Sequence, residues 1–300
     1  VLNRGRSWRA VPDDVIRLIG DIREPTSARE AIGKLDFDAV VNWVAFTPEH
    51  VEVDLGLFKD RTAQYIFISS ASAYQTPPAR LPVTESTVLE NPVWEYSREK
   101  IACEERLVRA YREERFPSTI VRPSHTYDRT LLPPHGGWTV IDRMRRGDPV
   151  VVHGDGTSVW TLTHHRDFAK GLVGLLGRDD AIGESFHITS DEWLTWDQIH
   201  HILAGAAGTT ADIVHVPSEI IHGYDREWGE SLLGDKTHSM IFDNSKIKRF
   251  VPDFAAAIPF SRGAEEIIAW YDADPSREVI DEDLDLTMNR IISDWHHRAI

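Results

Sequence analysis

Cysteine is almost missing from this chain: Cys103 is the only one among 300 residues. An internal disulfide is therefore excluded, and an oxidising compartment has no support. The lone thiol reads as a small apolar side chain on a helix rather than as a nucleophile. Long apolar runs and a charged-then-apolar leader are also missing. No membrane partner is expected, and the expected location is the cytoplasm. Positive charge is scarce, with 33 Lys and Arg against 48 Asp and Glu and a net charge of −15. That balance opposes non-specific attraction to nucleic acid or anionic lipid, so no nucleic-acid partner is expected and a phosphorylated ligand needs a local site. The histidines lack metal-type spacing. His164-His165, His200-His201 and His296-His297 are adjacent pairs, and sequence neighbours do not face one site on a helix or strand, so no metal is predicted. Internal repeats and low-complexity stretches are absent as well.

What is present is an alternation of apolar, β-rich runs with helical stretches, the pattern of a parallel sheet covered by helices. Residues 15–19, 38–46 (DAVVNWVAF), 64–69 (QYIFIS) and 118–122 (STIVR) read as strands. Helices are predicted near 27–35 and 93–115. After Pro123 the pattern changes. Pro133-Pro134-His135-Gly136-Gly137 breaks the chain, and helix 138–146, strand 149–153, helix 166–176 and strand 185–189 follow. Beyond Ser190 the order is looser, with helices near 196–207 and 261–271 and a last amphipathic helix over 286–297. Met288, Ile291, Ile292 and Trp295 share a face of that helix, which suits packing or oligomer contact. Gly154-Asp155-Gly156 has turn chemistry. Of Trp138, Trp160, Trp193, Trp196 and Trp228, most should be packing, with one or two left to line a pocket.

The chemistry-bearing feature is Tyr96-Ser97-Arg98-Glu99-Lys100, downstream of Ser69-Ser70-Ala71-Ser72-Ala73-Tyr74. Residues at i and i+4 share a helix face, so Lys100 can set its charge beside the Tyr96 hydroxyl. A nearby cation favours the phenolate and moves a group of ordinary pKa about 10 toward working pH. Tyr96 is then suited to general acid or base work on a substrate hydroxyl or carbonyl.

In series with this pair stand Leu2-Asn3-Arg4-Gly5, Gly20-Asp21-Ile22-Arg23, Arg122-Pro123-Ser124-His125-Thr126-Tyr127, Val152-His153-Gly154-Asp155-Gly156 and His165-Arg166-Asp167-Phe168-Ala169. Taken together the chain resembles an extended short-chain dehydrogenase/reductase of the NAD-dependent epimerase/dehydratase superfamily. The resemblance implies a Rossmann-like, doubly wound α/β fold. A cofactor domain would occupy 1–128, a smaller α/β substrate lobe 129–300, and residues 161–190 would return to the first domain. It also implies roles. Ser70, four positions before Tyr74, would donate to the reacting oxygen, with Ser69 and Ser72 as fallbacks. Tyr96 would be the acid/base, and Lys100 would hold the nicotinamide ribose and lower the tyrosine pKa. Asp21 and Ile22 resemble an adenine-contacting pair, and Ala45 and Phe46 would line the crevice at the strand ends. Pro123 and His125 would border the cofactor, with the substrate or a satisfied buried position as the other readings of His125. A small-molecule substrate is the implied partner, and a homodimer through the Tyr96 helix the implied oligomer.

The departures from that pattern are informative. No G-x-x-G-x-x-G turn opens the chain, so it reads as starting inside the fold's second strand, with on the order of 30 residues expected upstream. The strand end Asn3-Arg4-Gly5-Arg6-Ser7 carries Arg where an acid would receive the ribose hydroxyl of NAD. This favours NADP over NAD, with Arg4 as the phosphate partner and Asn3 and Ser7 as helpers. Ala71-Ser72 replaces the Asp-Glu pair of relatives that remove water, which disfavours dehydration and leaves carbonyl reduction and epimerisation of a sugar or nucleotide sugar. Some atypical relatives, including plastid stem-loop RNA-binding proteins, use the scaffold as a binding module. The acidic charge and the intact Ser70, Tyr96 and Lys100 oppose that alternative.

Overall fold

The computed structural model describes residues 1–7 and 9–298. Its first elements are β1 (Leu2–Asn3), β2 (Leu18–Ile19), α1 (Pro25–Ile32), β3 (Val40–Asn42), α2 (Pro48–Phe58), β4 (Tyr65–Ile68), α3 (Glu95–Glu114), β5 (Ser118–Pro123) and β6 (His125–Tyr127). Next come α4 (Trp138–Arg146), β7 (Val150–His153), β8 (Val159–Trp160), β9 (Leu162–His164), α5 (His165–Leu175), β10 (Ser185–Ile188), β11 (Leu194–Thr195), α6 (Trp196–Ala206) and β12 (Ile213–Val216). The chain ends with α7 (Ser218–Tyr224), α8 (Arg226–Ser231), a π-helical turn (Leu232–Lys236), α9 (Ser245–Phe250), α10 (Phe260–Asp272) and α11 (Glu282–Arg298). No described helix is long and apolar enough to cross a membrane.

The expected elements form, and their limits have local causes. The run 38–46 yields only the three-residue β3, because Asn42 turns the chain there. Its Oδ1 accepts from the Val44 and Ala45 N–H groups at 2.7 and 2.9 Å, and Trp43 and Val44 are left exposed. Helix α2 is not among the sequence expectations. Its signal is extended Thr47 followed by proline in the first turn and then Glu49, the arrangement that suits a helix start. The two- and three-residue strands β6, β8, β9 and β11 are too short to show a period of their own.

Two compact units result. The first holds Val1–Ser69, Glu99–Val121 and Leu176–Ser185, and the second holds Ser70–Arg98, Arg122–Leu175 and Phe186–Ile300. In the first unit β3, β4 and β5 run parallel in the order β5-β4-β3, with Val41 opposite Ile66 and Ile66 opposite Thr119. All four residues of β4 are buried, as a continuous apolar run in a central parallel strand must be. Its Tyr65 and Phe67 share a core with Ile32, Leu55, Phe58 and Leu107. Strands β1 and β2 form a separate parallel ribbon, and an apolar groove of about 480 Å³ lies among Leu2, Leu18, Val40 and Val41. The architecture is the Rossmann-like α/β class read from the sequence.

The second unit is a helix-rich α/β body. Strand β6 pairs with β9 and β7 with β12 in parallel, while β8 and β11 are antiparallel. Helix α6 starts on a full capping box between Thr195 and Gln198. Helix α11 is a packing element. Its Met288, Ile291 and Ile292 are buried in the unit's core, and Trp295 packs against it. The same helix holds the fully buried Arg143 guanidinium, which donates to Asp285 Oδ1 at 2.6 Å and to Asn289 Oδ1 at 2.8 Å. An ion pair sealed this way needs such extra acceptors to offset desolvation.

Candidate active site

Helix α3 presents one stripe in which Ser97, Lys100, Cys103, Glu104, Leu107 and Ala110 are all buried. Spacings of three and four place them on one face, and the stripe changes along its length from polar to apolar. Lys100 is the unusual member. Its ammonium donates to the carbonyls of Ala45, just past β3, and Ile68, the last residue of β4, at 2.7 and 2.9 Å. It also stands 4.7 and 4.8 Å from the centroids of the Phe46 and Phe67 rings. Burial pushes its pKa down to about 8, against the opposing pull of Cys103 and Glu104. The charge therefore survives at neutral pH at the carboxyl ends of parallel strands, the edge where open α/β sheets bind ligands. Cys103 is sealed in the stripe and burial raises its thiol to about 12, the mark of an inert core cysteine.

The serine block sorts itself by burial and partner. In the first unit, Ser69 is buried and donates to Glu104 Oε1 at 2.5 Å. In the second unit, Ser72 is buried, receives a hydrogen bond from Ser97 Oγ at 2.7 Å, and lies 2.8 Å from Ser70 Oγ. Ser70 is half-buried, and its Oγ accepts from the Ser72 N–H at 3.2 Å. Only Ser70 of the three combines access with a supported geometry.

Around Tyr96 the second unit builds a rigid corner. Asn91, buried, donates from Nδ2 to the carbonyls of Ser72 and Gly234 at 3.1 and 2.6 Å, and its Oδ1 accepts from Val93 and Trp94 N–H. One amide thus ties the serine turn, the start of α3 and the π-helical turn together. The rings of Trp94 and Tyr96 lie 4.9 Å apart. A Cβ on Gly234 would come within 2.5 Å of Trp94 Cβ, so only glycine lets the π-helical turn approach so closely. Lys236, at the end of that turn, sets its ammonium 5.3 Å from the Trp94 ring centroid.

Lys236 also borders a pocket of about 200 Å³ in the second unit, with His125, His135, His153, His200, Trp196 and Trp228 around it. Trp228 stacks on His135 at 4.7 Å, and Trp196 meets His153 edge to face at 5.1 Å. Burial holds all four imidazoles below their ordinary pKa. His125 is pushed to about 3, with the Lys236 ammonium assisting, and His153 to about 4. Among the described residues no three His, Cys, Asp or Glu side chains are grouped so that they could hold a metal ion. Sequence reasoning missed His135, His153, His200, Lys236, Trp228 and Asn91 as a set. They come from six places, the loops before α3 and α4, β7, α6, α8 and the π-helical turn, and no spacing in the sequence links them.

The residues expected to meet a dinucleotide lie mostly in the first unit. Asn3 and Asp21 close the ends of β1 and β2, where Asn3 Oδ1 accepts from Gly5 N–H at 2.8 Å and Asp21 lies 3.9 Å from the exposed Arg4 guanidinium. Ser7 is exposed and accepts from Arg9 N–H at 3.2 Å. Ile22 is half-buried, and the Arg23 guanidinium lies 5.4 Å from the Phe46 ring centroid. Pro123 and His125 belong to the second unit. Asn3 and Asp21 at the strand ends and the fixed Lys100 ammonium are the polar groups that could hold the riboses of a nicotinamide dinucleotide. A glycine-rich pyrophosphate cradle is not among the described residues, since α1 and α2 both start on proline after Glu24 and Thr47.

Comparison with known proteins bears on the family and the fold. The chain is 26% identical over 259 residues to a 2'-dehydrokanamycin reductase of Streptomyces kanamyceticus, covering 85% of this chain and 72% of the reductase. It is 28% identical to a chloroplast stem-loop binding protein of 41 kDa from Arabidopsis thaliana, covering 70% of this chain and about half, 53%, of that protein's length. Among solved structures, an epimerase from Methanothermobacter thermautotrophicus superposes with a TM-score of 0.76 at 16% identity, over 92% of this chain and 85% of that one, which speaks to the fold alone. The sequence model of the NAD dependent epimerase/dehydratase family matches residues 2–189, a span that takes in the parallel sheet, the serine turn and the Tyr96 helix. The chain therefore belongs to that family.

Proposed function

We propose that this chain is an NADP(H)-dependent oxidoreductase or epimerase that acts on a hydroxyl or carbonyl of a sugar or sugar-like substrate. The observation that carries the reading is the Lys100 ammonium, buried, charged at neutral pH and aimed by two strand-end carbonyls, one helical turn from Tyr96. A lysine is desolvated and fixed this way at a cost, and proton transfer through the neighbouring phenol gives it a use. In this reading Tyr96 gives or takes the proton at the reacting oxygen. Ser70 donates a hydrogen bond to the same oxygen from the turn that Asn91 holds. Lys100 holds a ribose hydroxyl and keeps positive potential near Tyr96. The bound nicotinamide supplies the hydride. Arg4, exposed at the strand end, favours a 2'-phosphate and hence NADP, with NAD as the alternative. The functional division that goes with it is a cofactor domain over 1–128, joined by 161–190, and a substrate lobe within 129–300.

Replacing Tyr96 by Phe should lower turnover by about 10²–10⁴-fold while leaving NADPH affinity nearly unchanged, as read by steady-state kinetics and fluorescence titration. Full turnover in the variant would refute the assigned role. A second reading, a binding module for RNA, draws on the 28% identity to the stem-loop binding protein. Tight RNA binding at moderate salt without any response to NADPH would favour it, and the net charge of −15 speaks against it.

A further inference from the structure

The histidine-lined pocket of the second unit has the wrong size and charge for a nucleoside diphosphate. Its volume is about 200 Å³, below the roughly 300–1,000 Å³ of sites that enclose whole drug-sized ligands, so it suits one ring. Lys236 is the one ammonium or guanidinium in its described wall, and that ammonium lies within 3.5 Å of the Asp235 carboxylate. Asp225 stands 3.8 Å from His135 Nε2. A diphosphate would meet one partly neutralised cation and neighbouring carboxylates.

The wall instead offers acceptors. His153 Nε2 lies 3.0 Å from the Lys236 carbonyl and His200 Nδ1 lies 2.7 Å from the Trp196 carbonyl. A carbonyl only accepts, so each of these nitrogens carries the proton, and the other nitrogen of each ring is a lone-pair acceptor. Burial keeps both rings neutral. Two indoles complete the wall. Trp228 is flat against His135 and makes an apolar face, while Trp196 Nε1 is buried with no hydrogen-bond partner. Aromatic faces and neutral acceptors suit a ring with apolar C–H faces and a rim of O–H or N–H donors.

We propose that this pocket seats a single donor-rich sugar ring, neutral or aminated, with His153 Nδ1 and His200 Nε2 accepting from its hydroxyl or ammonium groups and Trp228 covering its face. The proposal rests on the sugar-directed reading above and narrows it: the ring in this pocket carries no diphosphate. A contact path leads from the pocket toward Tyr96, since Lys236 borders the cavity, its ammonium faces the Trp94 ring and that ring packs on Tyr96. Tyr96 itself lies outside the pocket wall, beyond Lys236 and Trp94.

The test is a titration of the whole chain, labelled with ¹⁵N at histidine, with D-glucose, D-glucosamine and UDP, followed through the ring nitrogens by NMR. Either sugar should move the His153 Nδ1 and His200 Nε2 signals in a saturable way, the stronger response telling a neutral from an aminated ring, and UDP should leave both in place. His153→Gln should weaken sugar binding about three- to tenfold, as loss of a single hydrogen bond does. Stronger movement of these nitrogens by UDP, sugar binding that leaves both signals unmoved, or no sugar response at all would each overturn the proposal. The readout is separate from turnover. Unmoved nitrogens in an enzyme that still depends on Tyr96 sink the pocket alone, and full activity of Tyr96→Phe beside responding nitrogens sinks the catalytic reading alone.

Discussion

Two desolvated bases, one in each unit, meet burial differently. Lys100 in the first unit keeps its proton at neutral pH because strand-end carbonyls solvate the ammonium, and its pKa falls only to about 8. His153 in the second unit is buried beside His200 and the Lys236 ammonium and gives its proton up, with a pKa near 4. Burial penalises the charged form in both. What differs is the surrounding donor and acceptor set, and with it the product: one region fixes a cation, and the other fixes lone pairs. A reaction that needs a proton moved at one place and a polyol recognised at another has use for both.

The sharpest way to break the comparison is to remove the fixed cation. Lys100→Met should lower turnover by about 10³-fold, near the middle of the range for losing acid–base assistance, measured as NADPH oxidation at pH 7. A change of the same size in His153→Gln would mean that the two regions are not chemically distinct, because a recognition residue should act mainly on KM.

The next largest effects are on stability, and their signs follow from linkage. Each base has a folded pKa below its unfolded value, so the unfolded chain binds the extra proton first and stability falls as pH falls through the interval between the two. For Lys100 the interval runs from 10.5 down to about 8, and for His153 from 6.5 down to about 4. Urea unfolding followed against pH should therefore show the wild type losing on the order of 3 kcal/mol across each interval from these groups. Lys100→Met should remove this loss from the alkaline part alone, and His153→Gln should take its own share from the acid part, where His125, His135 and His200 keep theirs. Between pH 8 and 10.5 stability should rise while turnover falls, as the ammonium that the proposed mechanism needs is lost. Parallel rise or fall of the two would show that Lys100 is not the titrating group.

The same contrast explains what the sequence disclosed. The parallel sheet and the Tyr96 helix were legible because each rests on local rules: β-rich runs and a four-residue helical spacing. Ser70 was singled out from its neighbours only by the family resemblance. Asn42, which cuts the run 38–46 to three residues, acts through side-chain-to-backbone bonds that an apolar pattern does not display. The lone-pair pocket was illegible for a stronger reason. His125 comes from β6, His135 from the loop before α4, His153 from the end of β7 and His200 from α6, and nothing in their spacing links them. The adjacency of His200 and His201 argued only against a shared metal site and left the burial of His200, and its bond to the Trp196 carbonyl, unread. Asn91 carries no motif of its own, yet it joins the serine turn to Gly234, 143 positions further on.

The smallest expected effect concerns the cofactor end of the first unit. Arg4 is 62% exposed, and its contact with Asp21 is a long 3.9 Å, so its guanidinium is neither desolvated nor rigidly aimed. An ion pair of that kind is worth little on its own, and a 2'-phosphate would gain from it only a screened, partly ordered hydrogen bond. Arg4→Ala should therefore raise the KM for NADPH about three- to tenfold, leave the KM for NADH unchanged, and leave kcat unchanged with both. The selective loss should shrink as salt is raised, since screening already weakens the wild-type contact. An equal rise for both cofactors would point to a general loss of the strand end rather than to phosphate recognition, and an unchanged KM for NADPH would remove the case for NADP. Lys100→Met provides the contrast, because a ribose-holding lysine far from the 2'-position should cost both cofactors alike.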